Sequence, residues 1–230
     1  MDSNMACEEM SAKPEQRTPL IGEVIEMAPK LNEWASMGAH SFGLYSGINA
    51  AIAEAPDKFA PIVLHADELR MTSAMLCMVR IFATIDRGSA ISLQSVNRFL
   101  KTDAAASDLA AAYFGTSDSS KTQDANRTCE LSIHRFKNEY ARINWSALGR
   151  LQSFRNSAIA HISWGEVDKF VTFGELEALV EIVGQLAGET SLMTSGLNNW
   201  PHEHQESAHD NAKHKWSAIF AADHLDRIDY

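Results

Sequence analysis

The sequence predicts an all-α protein, and three observations carry that expectation. Apolar residues recur at helical spacings of three, four and seven along most of the chain. Outside residues 162–173, no stretch alternates apolar and polar residues for more than a few positions, so strand signals are scarce. Helix start and stop residues fall between the periodic stretches. With 230 residues, 45% of them hydrophobic and 22% charged, the chain has the size and composition to bury one main core.

Taken in order, residues 1–19 contain Pro14 and Pro19 and show no periodicity, which predicts a disordered lead. A first helical region is expected from Leu20 to Ala55, interrupted near Pro29, loosened by Gly38, Gly43 and Gly47, and stopped at Pro56. Next, Leu64, Met71, Met75, Met78, Phe82 and Ile85 fall on one helical face, with the methionines as flexible core filling. Arg87 and Gly88 suit the end of that helix. Ser92 can cap a short helix through Lys101, and Asp103 another through Phe114. After a polar loop from Thr116 to Lys121, a helix from Thr122 to Ile143 aligns Cys129, Ile133, Phe136, Tyr140 and Ile143. A further helix is expected from Ser146 to His161. Thr172-Phe173-Gly174-Glu175 has the spacing of a capping box and opens a helix to Thr194, ended by Gly196. The domain division read from this pattern is a helical domain over 20–196 and a polar tail over 197–230. That tail appends one weakly amphipathic helix through Ala212, Trp216, Ile219 and Phe220.

Several function classes are disfavoured. The first twenty residues carry Asp2, Glu8, Glu9 and Glu15 and no apolar run, unlike a secretory signal. The most apolar region, Met71 to Ile85, is short for a membrane span and holds Arg80. Cys7, Cys77 and Cys129 form no C-x-x-C pair, which argues against a disulfide framework or zinc ribbon and fits a reducing cytoplasm. There is no phosphate-binding glycine loop, Gly-x-Ser-x-Gly elbow or H-E-x-x-H. His202, His204, His209, His214 and His224 gather in the tail without cysteine or ordered carboxylate spacing, so neither a metal nor another cofactor is expected. His40 and His65 belong to no constellation.

The charge distribution is more informative than its sum. From Lys121 through Arg155, seven basic residues stand against three acidic ones, so this segment is +4 within a chain of −10 and the remainder carries −14. Arg127, Arg135 and Arg142 lie together on the side of their helix away from the apolar stripe, and Arg150 continues the basic run. A phosphate-bearing partner such as RNA would meet one positive patch on an otherwise repelling surface. The alternative is a solvated face paired with acids of neighbouring helices.

In the next helix, Leu148, Leu151, Ala158 and Ile162 define the apolar stripe, and Arg155 falls inside it. A guanidinium there needs an ion-pair partner, solvent or a ligand anion. His161 lies about 120° around and roughly 9 Å along an unbroken helix from Arg155, so one chain's pair does not converge on one atom.

The run Arg155-Asn156 followed by Ser157-Ala158-Ile159-Ala160-His161 resembles the signature of the HEPN superfamily: an Arg, four to six residues beginning with a polar one, then a His. The stretches Glu68-Leu69-Arg70-Met71-Thr72, Ile85-Asp86-Arg87 and Ile91-Ser92-Leu93 are similar to the abortive-infection AbiU-type branch. This likeness spans about Pro61 to Thr194. It implies a HEPN-like bundle with additional N-terminal and C-terminal helices, a homodimer with facing motifs, and often a metal-independent endoribonuclease acting as a toxin or defence effector, with a possible cognate antitoxin. Arg155 would stabilise phosphate, His161 would act as acid or base, and Asn156 would assist. Some members of the superfamily are non-catalytic, so the alternative expectation is an interaction module for a partner protein or nucleotide.

Overall fold

The computed structural model describes residues 17–85, 90–114, 119–154 and 171–228, which comprise eight α-helices and no strand. They are α1 (Ile21–Glu54), α2 (Pro61–Ile85), α3 (Leu93–Phe99), α4 (Ala105–Phe114), α5 (Ser119–Ala141), α6 (Trp145–Phe154), α7 (Phe173–Ser195) and α8 (Pro201–Ile228). Most of the proposed lead, residues 1–16, lies outside the described residues.

The 34-residue α1 is the axis of the bundle, with α2, α7 and α8 packed along it. It passes through Pro29 without interruption. The lost N–H removes one hydrogen bond, but Val24, Met27, Ala28 and Leu31 are buried on either side and hold the helix across it. The glycines expected to loosen α1 are packing positions instead. A Cβ on Gly43 or Gly47 would collide with the carbonyl oxygen of Gln205 or His209 on α8, where Ala208 and Ala212 face them. The two backbones therefore approach closely, and Ser46 Oγ sits 2.8 Å from His209 Nδ1 at the same crossing. The C-terminal helix is thus an integral layer of the bundle. Its Ala212 and Phe220 close a second apolar cluster with Ile48 and Ala51 of α1 and Val63 and Ala66 of α2.

The face assigned to α2 is corrected in its first half. Leu64 and Met71 are exposed, at 56% and 40%, whereas Ala66, Ala74 and Cys77 are fully buried against α1. Bulky residues dominate an apolar periodicity, whereas a close helix crossing selects small ones. Phe82 and Ile85 are buried as expected, and Met78 packs partly against the core.

The main cluster joins α1, α2, α3, α4, α5, α6 and α7. The stripe expected on α5 is present in Cys129, Ile133 and Phe136, which are buried with Tyr140 packed beside them; the helix ends at Ala141, and Ile143 is buried in the turn that follows it. That helix begins at Ser119, so it takes up part of the expected polar loop. Ser92 caps α3 by accepting from the Ser95 N–H. Thr172 and Glu175 form the expected capping box on α7, which ends at Gly196 with φ 67°, a left-handed conformation that suits glycine. The loop around Trp164 and Gly165 lies outside the described residues.

Candidate functional site

Arg155, Asn156 and His161 lie outside the described residues, so the site is built here from what flanks them. Asn144 caps α6 by accepting the Ala147 N–H at 3.0 Å, and Ala147, Leu148 and Leu151 bury the helix. One turn before its last described residue, Phe154, Arg150 donates to the Glu175 carboxylate. Glu175 is also the residue that closes the α7 capping box, accepting the Thr172 N–H at 3.0 Å. That backbone bond, then Arg150, hold its carboxyl below the usual carboxylate range. One acid therefore joins α6, through Arg150, to the start of α7.

A ring stack stands at the same end of α7. Phe173, its first residue, is 43% exposed and lies on Tyr45 of α1, ring centroids 4.6 Å apart and planes 12° from parallel. The Arg70 guanidinium also lies over the Tyr45 ring, 5.7 Å from its centroid. Arg70 is itself fixed by Asp67, at 2.7 and 2.9 Å, and by Asn49 Oδ1 at 2.8 Å. Burial pushes the Tyr45 phenol up, with Arg70 acting in the opposite sense. Sequence periodicity hid this group, because Tyr45 reads as core and Phe173 as part of a cap. The only prior signal was a large aromatic at a first helical position.

The arginines proposed to bind RNA divide into two groups. Arg127 is exposed on α5 with no ion-pair partner among the described residues. The other three reach acids on α7. Arg135 pairs with Glu189, Arg142 with Glu181 at 3.7 Å and with Glu139 at 2.6 Å, and Arg150 with Glu175. Arg135 lies at the flank of α5, close enough to the apolar side to reach an acid that is only 4% exposed. Arg135 and Arg142 keep half of their side-chain surface, 50% and 52%. Beside them, Arg142, Asn144, Thr172, Gly174 and Glu175 line a cleft of about 310 Å³ between the α5–α6 turn and α7.

No protein-family model, curated protein or solved structure matches this chain. Among the described residues, no three His, Cys, Asp or Glu side chains come together as a metal-ligand set. The tail histidines His202, His204, His209, His214 and His224 are strung along α8. No described helix is long and apolar enough to cross a membrane.

Proposed function

We propose that the protein is a metal-independent endoribonuclease of HEPN type, acting in the cytoplasm as a toxin or phage-defence effector. The observation that carries the reading is the Arg155-Asn156…His161 motif of the sequence, supported by the Arg150–Glu175 pair that joins α6 to the start of α7. His161 of one protomer takes the proton from an RNA 2′-hydroxyl, whose oxygen attacks the adjacent phosphorus. The bond to the 5′-oxygen breaks, and that oxygen receives a proton from the second protomer's motif. Arg155 stabilises charge on the phosphorane oxygens, and Asn156 holds the phosphate or the His tautomer.

A homodimer follows from this chemistry, because each motif offers one proton-transferring group and the reaction uses two. The half-exposed Arg135 and Arg142, with free Arg127 and nearby Arg150, supply positive potential for the RNA backbone. The exposed face of Phe173 offers a surface on which an unpaired base can stack. A cognate antitoxin would cover this same end of the molecule.

One observation favours a second reading. Three of the four arginines are committed to α7 acids, which suits a non-catalytic dimerisation module binding a partner protein or nucleotide. Expressing wild type and His161→Ala in cells, and assaying both purified proteins on single-stranded RNA, separates the two. The nuclease reading expects growth arrest and cleavage from wild type alone.

A further inference from the structure

A second site is built on the opposite flank of α1 and does not rest on the nuclease reading. A groove of about 810 Å³ runs between α1, the end of α7 and the α7–α8 connection. That volume is in the range of small-molecule sites. Its walls are fixed to each other by a reciprocal amide pair. Asn32 donates to the Asn199 carbonyl and Asn199 donates to Asn32 Oδ1, both at 3.0 Å.

Ile25, Pro29, Met37 and Leu197 give the groove its apolar lining. Leu197 is 63% exposed and Met37 39%, so apolar surface is left open to solvent there. Arg80 of α2 supplies a cation among them. It is half-buried, and one nitrogen, Nη1, donates to the Met37 carbonyl at 3.0 Å and to Ser41 Oγ at 2.7 Å. Both acceptors are neutral, and no carboxylate among the described residues lies within ion-pair distance of Arg80. The other two guanidinium nitrogens have no bonded partner there. This contrasts with Arg70, Arg135, Arg142 and Arg150, each of which faces an acid. A half-buried guanidinium without a counter-charge favours an anion from outside.

The groove also has a direction. Glu33 lines it one to two turns toward the start of α1 from the level of Met37 and Ser41, roughly 6 to 12 Å away. An acid head is repelled at that end and attracted at Arg80. One cation and one opposing carboxylate suit a single negative charge better than a double one. Pro29 adds a further feature, because its missing N–H leaves the Ile25 carbonyl without its helical donor, and both residues line the groove.

We propose that this groove binds a small amphipathic organic acid. The singly charged head sits on Arg80, and the apolar body lies along Met37, Pro29, Ile25 and Leu197. A ligand N–H can also satisfy the Ile25 carbonyl.

The full chain is titrated with the fluorescent probe 8-anilinonaphthalene-1-sulfonate, which joins aromatic rings, an N–H and one sulfonate. Saturable binding is expected, with displacement by octanoate at concentrations at least about tenfold below those needed for octanol. Leu197→Glu, at an exposed position, should weaken probe binding about tenfold or more at an unchanged melting temperature, and Arg80→Gln should do the same. Should Arg80→Gln fail to fold, Leu197→Glu and the octanoate–octanol comparison still decide. No binding to wild type, equal binding to Leu197→Glu, or equal displacement by octanol would overturn the proposal.

Discussion

Arg135 on α5 grips the carboxylate of Glu189 on α7 with two nitrogens, Nε to Oε1 at 2.6 Å and Nη2 to Oε2 at 3.2 Å. Glu189 is only 4% exposed, whereas half of the Arg135 side chain meets solvent. Removing the cation strands a buried charge. Arg135→Met should therefore cost about 2–3 kcal/mol, below the full value for a wholly buried pair because water screens the arginine. Glu189→Gln should cost less, since a buried neutral amide is less costly to leave poorly paired than a buried charge. Urea unfolding of both single variants and the double variant measures the coupling. Additive losses would mean that the pair does not hold α5 to α7.

The crossing of α1 and α8 gives a prediction of opposite sign for two glycines. Gly47→Ala drives a Cβ into the His209 carbonyl, which is backbone and yields little, so a loss of about 2–3 kcal/mol is expected. Gly149→Ala on α6 meets nothing within 4 Å and should stabilise by about 0.5–1 kcal/mol. Thermal melts of the two variants check this. Similar shifts for both would show that the close approach is not where it is placed.

Glu175 makes one part of the stability depend on pH. Its folded-state carboxyl titrates below its unfolded value, first through the Thr172 N–H and then through Arg150. Its contribution is therefore present in full above the unfolded carboxylate range, about 4 to 4.5. It is lost as pH falls through the lowered native value. The melting-temperature difference between wild type and Glu175→Gln should be constant from pH 7 to about 5.5 and shrink below about 4.5. A difference that grows on acidification would contradict the assignment.

Burial pushes the Cys77 thiol far up, and it raises Cys129 as well. Thiolate is the reactive form, so neither residue should react with a disulfide reagent in the native protein near pH 8. Mass mapping after brief labelling should find both unmodified until urea unfolds the chain. Fast labelling of Cys77 in the native state would contradict its place in the core.

Much of the fold is legible where the signal is local. Thr172, Glu175 and Gly196 mark both ends of α7 because caps are short-range chemistry. The α5 stripe is legible because Cys129, Ile133 and Phe136 all face one way. What escapes is long-range. Nothing near Gly43 or Gly47 in sequence announces the backbone of α8, more than 160 residues away, and nothing near Leu64 or Met71 says that no helix covers them. The partners of Arg135, Arg142 and Arg150 escape for the same reason, since α7 comes to them only in the fold. Tyr45, Arg70 and Phe173 lie on three helices and carry no joint pattern along the chain. Arg80 could be noticed as a charge in an apolar run, but its groove needs α1 and the α7–α8 connection.

Product analysis is the sharpest test of the proposed cleavage of RNA by Arg155 and His161 through its own 2′-hydroxyl. The purified protein is incubated with single-stranded RNA in excess EDTA, and the new ends are identified by mass spectrometry. Cleavage should persist under chelation and leave a 2′,3′-cyclic phosphate, with no cutting of DNA of the same sequence. His161→Ala should lower the rate by roughly 10²-fold or more with the fold intact, and Arg155→Lys should also be impaired, since an ammonium lacks the planar two-pronged contact. Activity that disappears with EDTA, or that survives both substitutions, would rule this chemistry out.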